Sequence, residues 1–250
     1  MILAAGLGTR LGPHTRTRPK ALIEVGGVPM LELVARRLIE AGADRLIVNV
    51  HHFADQIERF LEMRDGFGAE VRISRETERP LDTGGGLAAA APLFDGEEPF
   101  YLHNADILSD MDLDGLYASH LSARPRPMAT LAVNERSTTR PLLLDDDGVY
   151  GVANRETGWH HEAREARSGV RERGFTGVHV VAPELLGRLT ERGAFSLRDA
   201  YMRLIAEGER IAAYDVTGAS WWDIGSPEKL ARARRAAGPP EPPPAGEEGC

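Results

Sequence analysis

Leu3-Ala4-Ala5-Gly6-Leu7-Gly8-Thr9-Arg10-Leu11-Gly12-Pro13-His14-Thr15, with Pro19-Lys20 close behind, follows directly on Met1-Ile2. The opening apolar run reads as a strand covered on both faces. Small residues come next. Gly6 and Gly8 permit a positive φ and a close approach of backbone to a ligand, and N–H groups exposed there can cradle phosphate oxygens. The first acidic residue is Glu24, whereas Arg10, Arg16, Arg18 and Lys20 precede it. Positive charge is therefore concentrated beside a glycine turn, the pattern needed to hold a triphosphate. Other phosphate loops fit less well. A dinucleotide fingerprint requires glycine where Leu11 stands, and a Walker loop requires Gly-Lys-Ser or Gly-Lys-Thr after its second glycine. Pro13 and Pro19 bar a helix immediately after the glycines. The segment is expected to stay extended over the ligand, with Lys20 returning to it.

Outward from this loop, short apolar runs alternate with amphipathic stretches. Strands are expected at residues 1–5, 46–50, 71–74, 100–104 and 128–133. Helices are expected at 30–41, at 55–63 and, Ala-rich, after Gly86. This alternation implies an α/β, Rossmann-like, mostly parallel twisted sheet with helices on both faces. The first strand reads as short for a central one, as though upstream residues were missing. The second half is less regular. Asp145-Asp146-Asp147-Gly148 marks a hairpin turn, residues 178–181 a strand, and residues 183–192, 197–207 and 227–236 helices. Residues 238–250 are almost all Pro, Gly, Glu and Ala and are expected to be disordered. One catalytic domain, 1–237, plus that tail is the expected organisation.

Composition narrows the partners. The chain has 250 residues, 42% of them apolar, and a formal net charge of −8. A nucleic-acid binder usually shows a basic face, so nucleic acid is not expected as a partner. The single cysteine, Cys250, allows no disulfide framework within the chain. No apolar run approaches the roughly 20 residues of a membrane span, and the start is too short for a signal peptide. A cytoplasmic protein, monomeric or homodimeric and without a membrane partner, is expected.

Three further segments carry chemistry. Leu81-Asp82-Thr83-Gly84-Gly85-Gly86 precedes the Ala-rich helix, and consecutive glycines make sense if a flat ring lies against bare backbone. Asn104-Ala105-Asp106 ends a strand, where ligands sit in open α/β sheets. Trp221-Trp222-Asp223-Ile224-Gly225-Ser226-Pro227 places an acid in an aromatic stretch, which is costly unless the acid is paired or coordinates a cation. Two histidine pairs read more simply. His160-His161 belong to a solvated loop, and His51-His52 pack against or cap the following helix.

The opening segment resembles the signature of the sugar-1-phosphate nucleotidyltransferase family, L-A-A-G-x-G-T-R-L-x-P-x-T followed by P-K. Leu3 through Thr15 and Pro19-Lys20 meet every fixed position, and the likeness runs from Leu3 to about Leu230. The resemblance implies the nucleotide-diphospho-sugar transferase fold and transfer of a nucleotide from a nucleoside triphosphate to a sugar 1-phosphate with Mg2+. It implies that Arg10 contacts the β- and γ-phosphates and that Lys20 neutralises the α-phosphate, as the catalytic residues. Leu3, Ala4, Ala5, Gly6, Gly8, Thr9, Arg10, Asp82, Thr83, Gly84 and Gly85 would bind the nucleotide. Asn104, Thr176 and Gly177 would line the sugar pocket, and Asp106 and Asp223 would hold the metal. The acidic residue before Thr83 and the third glycine resemble the N-acetylmuramate 1-phosphate uridylyltransferase branch, which suggests UTP. Many relatives carry a Glu-Lys-Pro lysine that grips the sugar phosphate. None occurs between Tyr150 and Phe175, and Arg155, Arg171 or Arg173 could replace it. Mannose-, heptose- or glucose-1-phosphate guanylyl- or thymidylyltransferases and a phosphocholine cytidylyltransferase are rival members. A silent nucleotide-sugar-binding regulatory protein is disfavoured by the four intact site residues.

Overall fold

The computed structural model describes residues 1–238. The tail expected to be disordered, from residue 239 onward, lies outside the described residues. The chain begins with β1 (Ile2–Leu3), passes a small hairpin, β2 (Glu24–Val25) and β3 (Val28–Pro29), and enters helix α1 (Met30–Glu40). Then come β4 (Arg45–Val50), α2 (Ala54–Met63), β5 (Glu70–Arg75), α3 (Asp82–Ala90), β6 (Phe100–Asn104), β7 (Ile107–Ser109), α4 (Leu113–Ser122) and β8 (Ala129–Asn134). The second half adds β9 (Leu142–Asp145), β10 (Gly148–Asn154), β11 (Trp159–Glu162), β12 (Arg171–Val181), α5 (Glu184–Arg188), α6 (Leu197–Ala206), β13 (Ile211–Asp215), β14 (Trp221–Asp223) and α7 (Pro227–Ala237).

One large sheet runs β11-β10-β9-β12-β6-β1-β4-β5, with β8 beside β12 and β13 beside β8. Its core, β6-β1-β4-β5, is parallel throughout, as expected of strand–helix–strand units. β1 has only two residues, yet it sits between β4 and β6, and Ile2 is fully buried. The long strand β12 runs antiparallel to β6, β8 and β9 and joins the two halves. The Asp145–Gly148 turn forms as expected: Asp145 Oδ1 accepts from the N–H groups of Asp147 (3.0 Å) and Gly148 (3.2 Å).

Apolar faces of α1, α2 and α4 cover one side of the sheet, with Leu31, Leu38, Ile57 and Leu116 at 1% exposure or less. Helices α3, α5 and α6 cover the other side through Leu87, Leu185 and Leu204. Helix α5 is shorter than the expected 183–192, because Leu189 returns to extended backbone (φ −78°, ψ 99°). A third cluster joins Leu11, Ile23 and Val25 at the start of the chain to Ile224, Leu230 and Ala233 near its end.

Three histidines are buried: His120, whose Nδ1 bonds the Thr130 hydroxyl (3.0 Å) and whose pKa burial lowers to about 4, and two more on the sheet itself. His103 on β6 donates from Nδ1 to the Asn104 carbonyl (2.9 Å), and His179 on β12 shares a hydrogen bond with the Tyr201 hydroxyl (2.9 Å). Burial lowers their pKa values from 6.5 to about 4 and about 3. Between pH 6.5 and 4 the unfolded chain therefore binds more protons than the folded one, and stability falls as pH falls. The expected loss is about 1 kcal/mol per pH unit for each histidine. Thermal melting between pH 6.5 and 4.5 should show a steady decline as pH falls. A melting temperature unchanged from pH 7 to 5 would refute this account.

Candidate active site

The segment after β1 is wound rather than extended, which corrects the sequence expectation. Thr9–Thr15 forms 3-10 turns, with Leu11 N–H on the Gly8 carbonyl (2.9 Å) and a non-helical break at Gly12 (φ 55°, ψ −116°). Short turns interrupted at a glycine accommodate Pro13, which a continuous α-helix would not. Gly8 has φ 65°, as anticipated, but Gly6 does not take a positive φ. Thr15 Oγ1 donates to the Gly8 carbonyl (3.0 Å), and Lys20 returns to the loop. A Cβ at Gly8 would stand 3.1 Å from Lys20 Cβ and 2.8 Å from Thr15 Cγ2.

This loop forms one wall of a cavity of about 560 Å3. Leu3, Ala4, Ala5, Gly6, Gly8, Thr9, Arg10, Lys20, Asp82, Thr83, Asn104 and Asp106, all named above as candidate site residues, line it. Its back is braced by two polar residues that sequence reasoning missed. Asn49 on β4 is 2% exposed, and its Oδ1 accepts from the Ala4 N–H (3.0 Å) and the Ala5 N–H (3.3 Å). Its amide donates to Glu76 Oε1, while Glu76 Oε2 accepts from Leu81 N–H (2.8 Å). One buried Asn–Glu pair thus ties the phosphate loop to the segment entering α3. Burial raises the Glu76 pKa above the ordinary carboxylate value, against its hydrogen bonds. The visible signal was a single asparagine in the apolar run of residues 46–50. Asn49→Ala should cost about 1–3 kcal/mol of stability, because it orphans buried partners, and should weaken nucleotide binding. Urea unfolding checks the first effect and nucleotide KM the second; unchanged values of both would contradict the brace.

Asp106 follows β6, and Asp223 ends β14. β14 pairs antiparallel with β7, setting Asp223 opposite Ile107, and Ile224 N–H donates to the Asp106 carbonyl (3.1 Å). The two acids, far apart in sequence, are therefore neighbours. Each has a lysine beside it: Lys20 Nζ on Asp106, and Lys229 Nζ on Asp223 Oδ2 at 2.5 Å. The Asp223 carboxylate is disfavoured by burial. Its bonds to Lys229 and the Gly225 N–H (2.6 Å) outweigh this and hold its pKa below the ordinary value. Arg10 completes the group. The position a Cβ would occupy at Gly225 lies 2.7 Å from Asp223 Oδ1 and 3.1 Å from Arg10 Nη2. Gly225 lines the cavity; Asp223 stands just behind it. Lys229 had no signature in the sequence. It lies in the first turn of α7, whose Ser226 cap accepts the Lys229 N–H (3.4 Å).

Gly84 and Gly85 depart from their expected role. Helix α3 begins at Asp82, not after Gly86, so the glycines lie inside it and are buried. A Cβ at Gly84 would fall 2.3 Å from the Phe195 ring, at Gly85 2.4 Å from the Gly193 carbonyl, and at Gly86 2.6 Å from Asn49 Nδ2. The packing of the helix against neighbouring chain by itself requires glycine at these positions. Thr83 and Asp82 alone of this motif line the cavity. Asp82 has φ 60° and bonds its own neighbour, Thr83 N–H (2.6 Å). Of the expected sugar contacts, Asn104 lines the cavity, but the Thr176 hydroxyl is fully buried and donates to the Ala132 carbonyl (2.8 Å). That hydroxyl is unavailable to a ligand. Gly177 packs against Asn104, where a Cβ would stand 2.9 Å from Nδ2.

Parallel strands whose ends carry a cationic glycine loop and Asp106, with Asp223 set beside them on the β7–β14 ribbon and a lysine on each acid, are the architecture of a phosphate-transfer enzyme acting on a nucleotide. The nucleotidyl transferase family model matches residues 1–158. An N-acetylmuramate alpha-1-phosphate uridylyltransferase of Caulobacter vibrioides is 34% identical over 95% of this chain and 96% of its own length. The Drosophila pseudoobscura pseudoobscura mannose-1-phosphate guanylyltransferase catalytic subunit beta is 30% identical over 91% of this chain, which spans 59% of that protein. Among solved structures, UDP-glucose pyrophosphorylase from Acinetobacter baumannii superposes with a TM-score of 0.75 at 20% identity, covering 95% and 92% of the two chains. The chain belongs to the nucleotidyl transferase family and is a sugar-1-phosphate nucleotidyltransferase of the nucleotide-diphospho-sugar transferase fold. Among the described residues no helix is long and apolar enough to cross a membrane.

Proposed function

We propose that the chain joins UTP to N-acetylmuramate 1-phosphate, releasing pyrophosphate. The observation that supports the reaction is that Arg10, Lys20 and Asp106 line one cavity, with Asp223 next to its Gly225 wall. The uridylyl reading is supported by relatives of that name at 34% and 31% identity that match almost end to end.

An oxygen of the sugar phosphate attacks the α-phosphorus in line. The new P–O bond forms as the bond to the β-phosphate breaks, and pyrophosphate leaves with its electron pair. The nucleophile is already an anion, so no general base is needed. Catalysis is then mostly positioning and charge neutralisation. Loop N–H groups and Arg10 hold the β- and γ-phosphates, and Lys20 faces the α-phosphate. Asp106 and Asp223 suit Mg2+: they are hard oxygen donors, one in the turn before β7 and one at the end of its partner β14, and each already attracts a cation, its lysine. When bound, the metal supplies charge neutralisation and orientation of the phosphates.

The test is a pyrophosphate-release screen of UTP, GTP, CTP and dTTP against N-acetylmuramate, mannose and glucose 1-phosphates. UTP with N-acetylmuramate 1-phosphate should give the highest rate. A preference for another pair would refute the substrate reading, and no release from any pair would refute the reaction.

A further inference from the structure

The acceptor brings its own phosphate charge, and few cations are free to meet it. Arg155 is paired with Glu172, Arg171 with Asp146, and Arg173 with both Glu135 and Asp215. The arginines that the sequence suggested for this task are thus engaged elsewhere. Arg10 and Lys20 belong to the nucleotide cavity.

A second cavity, of about 290 Å3, meets the first at Thr83, which lines both. Arg136, Arg140 and Arg198 stand in its wall, and no Asp or Glu does. Its floor is apolar, from Leu131, Leu142 and Val152. Arg136 and Arg140 have no carboxylate partner among the described residues, and Arg198 touches only its neighbour Asp199, at 3.4 Å.

Arg136 is held for a purpose its own packing does not exhaust. It lies just past β8, half buried, with its guanidinium 4.3 Å from the centroid of Trp221. Nη2 donates to the Phe175 carbonyl, but Nε is buried with no partner. Space for it is left by Gly174, where a Cβ would stand 2.8 Å from Arg136 Cγ. Trp221, on which it stacks, is two residues from Asp223 and donates from Nε1 to the Thr176 carbonyl (2.8 Å). Burial lowers the guanidinium pKa, and the Asp223 charge opposes that shift. The cation therefore stands between the second cavity and the carboxylate pair.

We propose that the second cavity is the acceptor subsite, in which Arg136 positions the reacting phosphate while Arg140 and Arg198 recognise a carboxylate elsewhere on the sugar. This rests on the transfer reaction proposed above. A neutral sugar would give Arg140 and Arg198 only hydroxyls, whereas a carboxylate gives a guanidinium a charge-assisted, bidentate partner. Three arginines with no acid among them exceed what a single phosphate requires.

The experiment measures pyrophosphate release by the full chain, using the triphosphate that supports turnover. The acceptors are N-acetylmuramate 1-phosphate and N-acetylglucosamine 1-phosphate, which lacks the lactyl carboxylate. The parent should favour the carboxylated acceptor in kcat/KM by about 10- to 100-fold, the scale of a charged hydrogen bond. The double variant Arg140→Gln/Arg198→Gln should bring that ratio down at least tenfold. Arg136→Met should raise the acceptor KM about 10- to 100-fold, leaving the nucleotide KM in place, and Arg136→Lys should recover most of the loss. Should Arg136→Met fail to fold, Arg136→Lys and the double variant still decide the matter. Preference of the parent for the neutral acceptor, an unmoved ratio in the double variant, or an unmoved acceptor KM in Arg136→Met overturns the proposal while transfer itself stands. Absence of pyrophosphate with every acceptor instead removes the reaction beneath it.

Discussion

Asp106→Asn is expected to lower kcat about 10²- to 10³-fold, the scale seen when one preorganised charged or polar contact is lost from a transition state. The substitution is nearly isosteric and removes one negative charge. That charge holds Lys20 at the cavity wall and supplies one of the two carboxylates suited to a metal. Both partners are partly exposed, at 12% and 28% of their side chains, so the pair adds little to stability. The melting temperature should stay within a few degrees of the parent while turnover collapses. Initial-rate pyrophosphate release beside thermal melting separates these outcomes. Turnover within a few-fold of the parent would contradict the assignment.

Arg10→Ala is expected to cost a similar 10²–10³ in kcat/KM, by loss of the guanidinium that the proposed mechanism sets against the leaving phosphates. Arg10 makes no ion pair among the described residues, and it lies beside Gly225 in the cavity wall. Stability should be untouched, because little packing is removed. The loss should extend to the reverse direction, in which pyrophosphate is the substrate: the variant should need far more pyrophosphate to drive nucleotide formation. An unchanged pyrophosphate KM in that direction would show that Arg10 serves something else.

The parts of this site that could be read from sequence are those whose chemistry is local. The run from Leu3 to Lys20 announces itself because glycine, proline and uninterrupted positive charge act within one loop. Asp106 was legible because ligands gather at strand ends, and Asp223 because an acid among tryptophans demands a partner. What failed depended on contacts across the fold. Gly84-Gly85-Gly86 states that no side chain fits, but only Phe195, Gly193 and Asn49 reveal what fills the space. Arg155, Arg171 and Arg173 looked free until Glu172 on β12, Asp146 in the β9–β10 turn and Asp215 on β13 came beside them. Lys229 and Arg136 had no motif at all; one is placed by a helix cap, the other by a tryptophan face. The parallel half of the sheet followed from alternation, whereas the antiparallel β12 did not, because a strand's direction depends on its crossover.

The apolar cluster that binds Leu11, Ile23 and Val25 to Ile224, Leu230 and Ala233 makes the last helix a latch on the first loop. Asp223 and Lys229 ride on that latch, beyond the 158 residues that the family model covers. Under the proposed mechanism, catalytic competence is conditional on the first loop and the helix α7 staying docked. In a urea series, activity should vanish at or before the midpoint of sheet unfolding and never after it, since peripheral units open before the centre of a fold. A fragment ending near residue 158 would keep the nucleotide loop yet lack half the carboxylate pair, so it could at most bind what it can no longer convert.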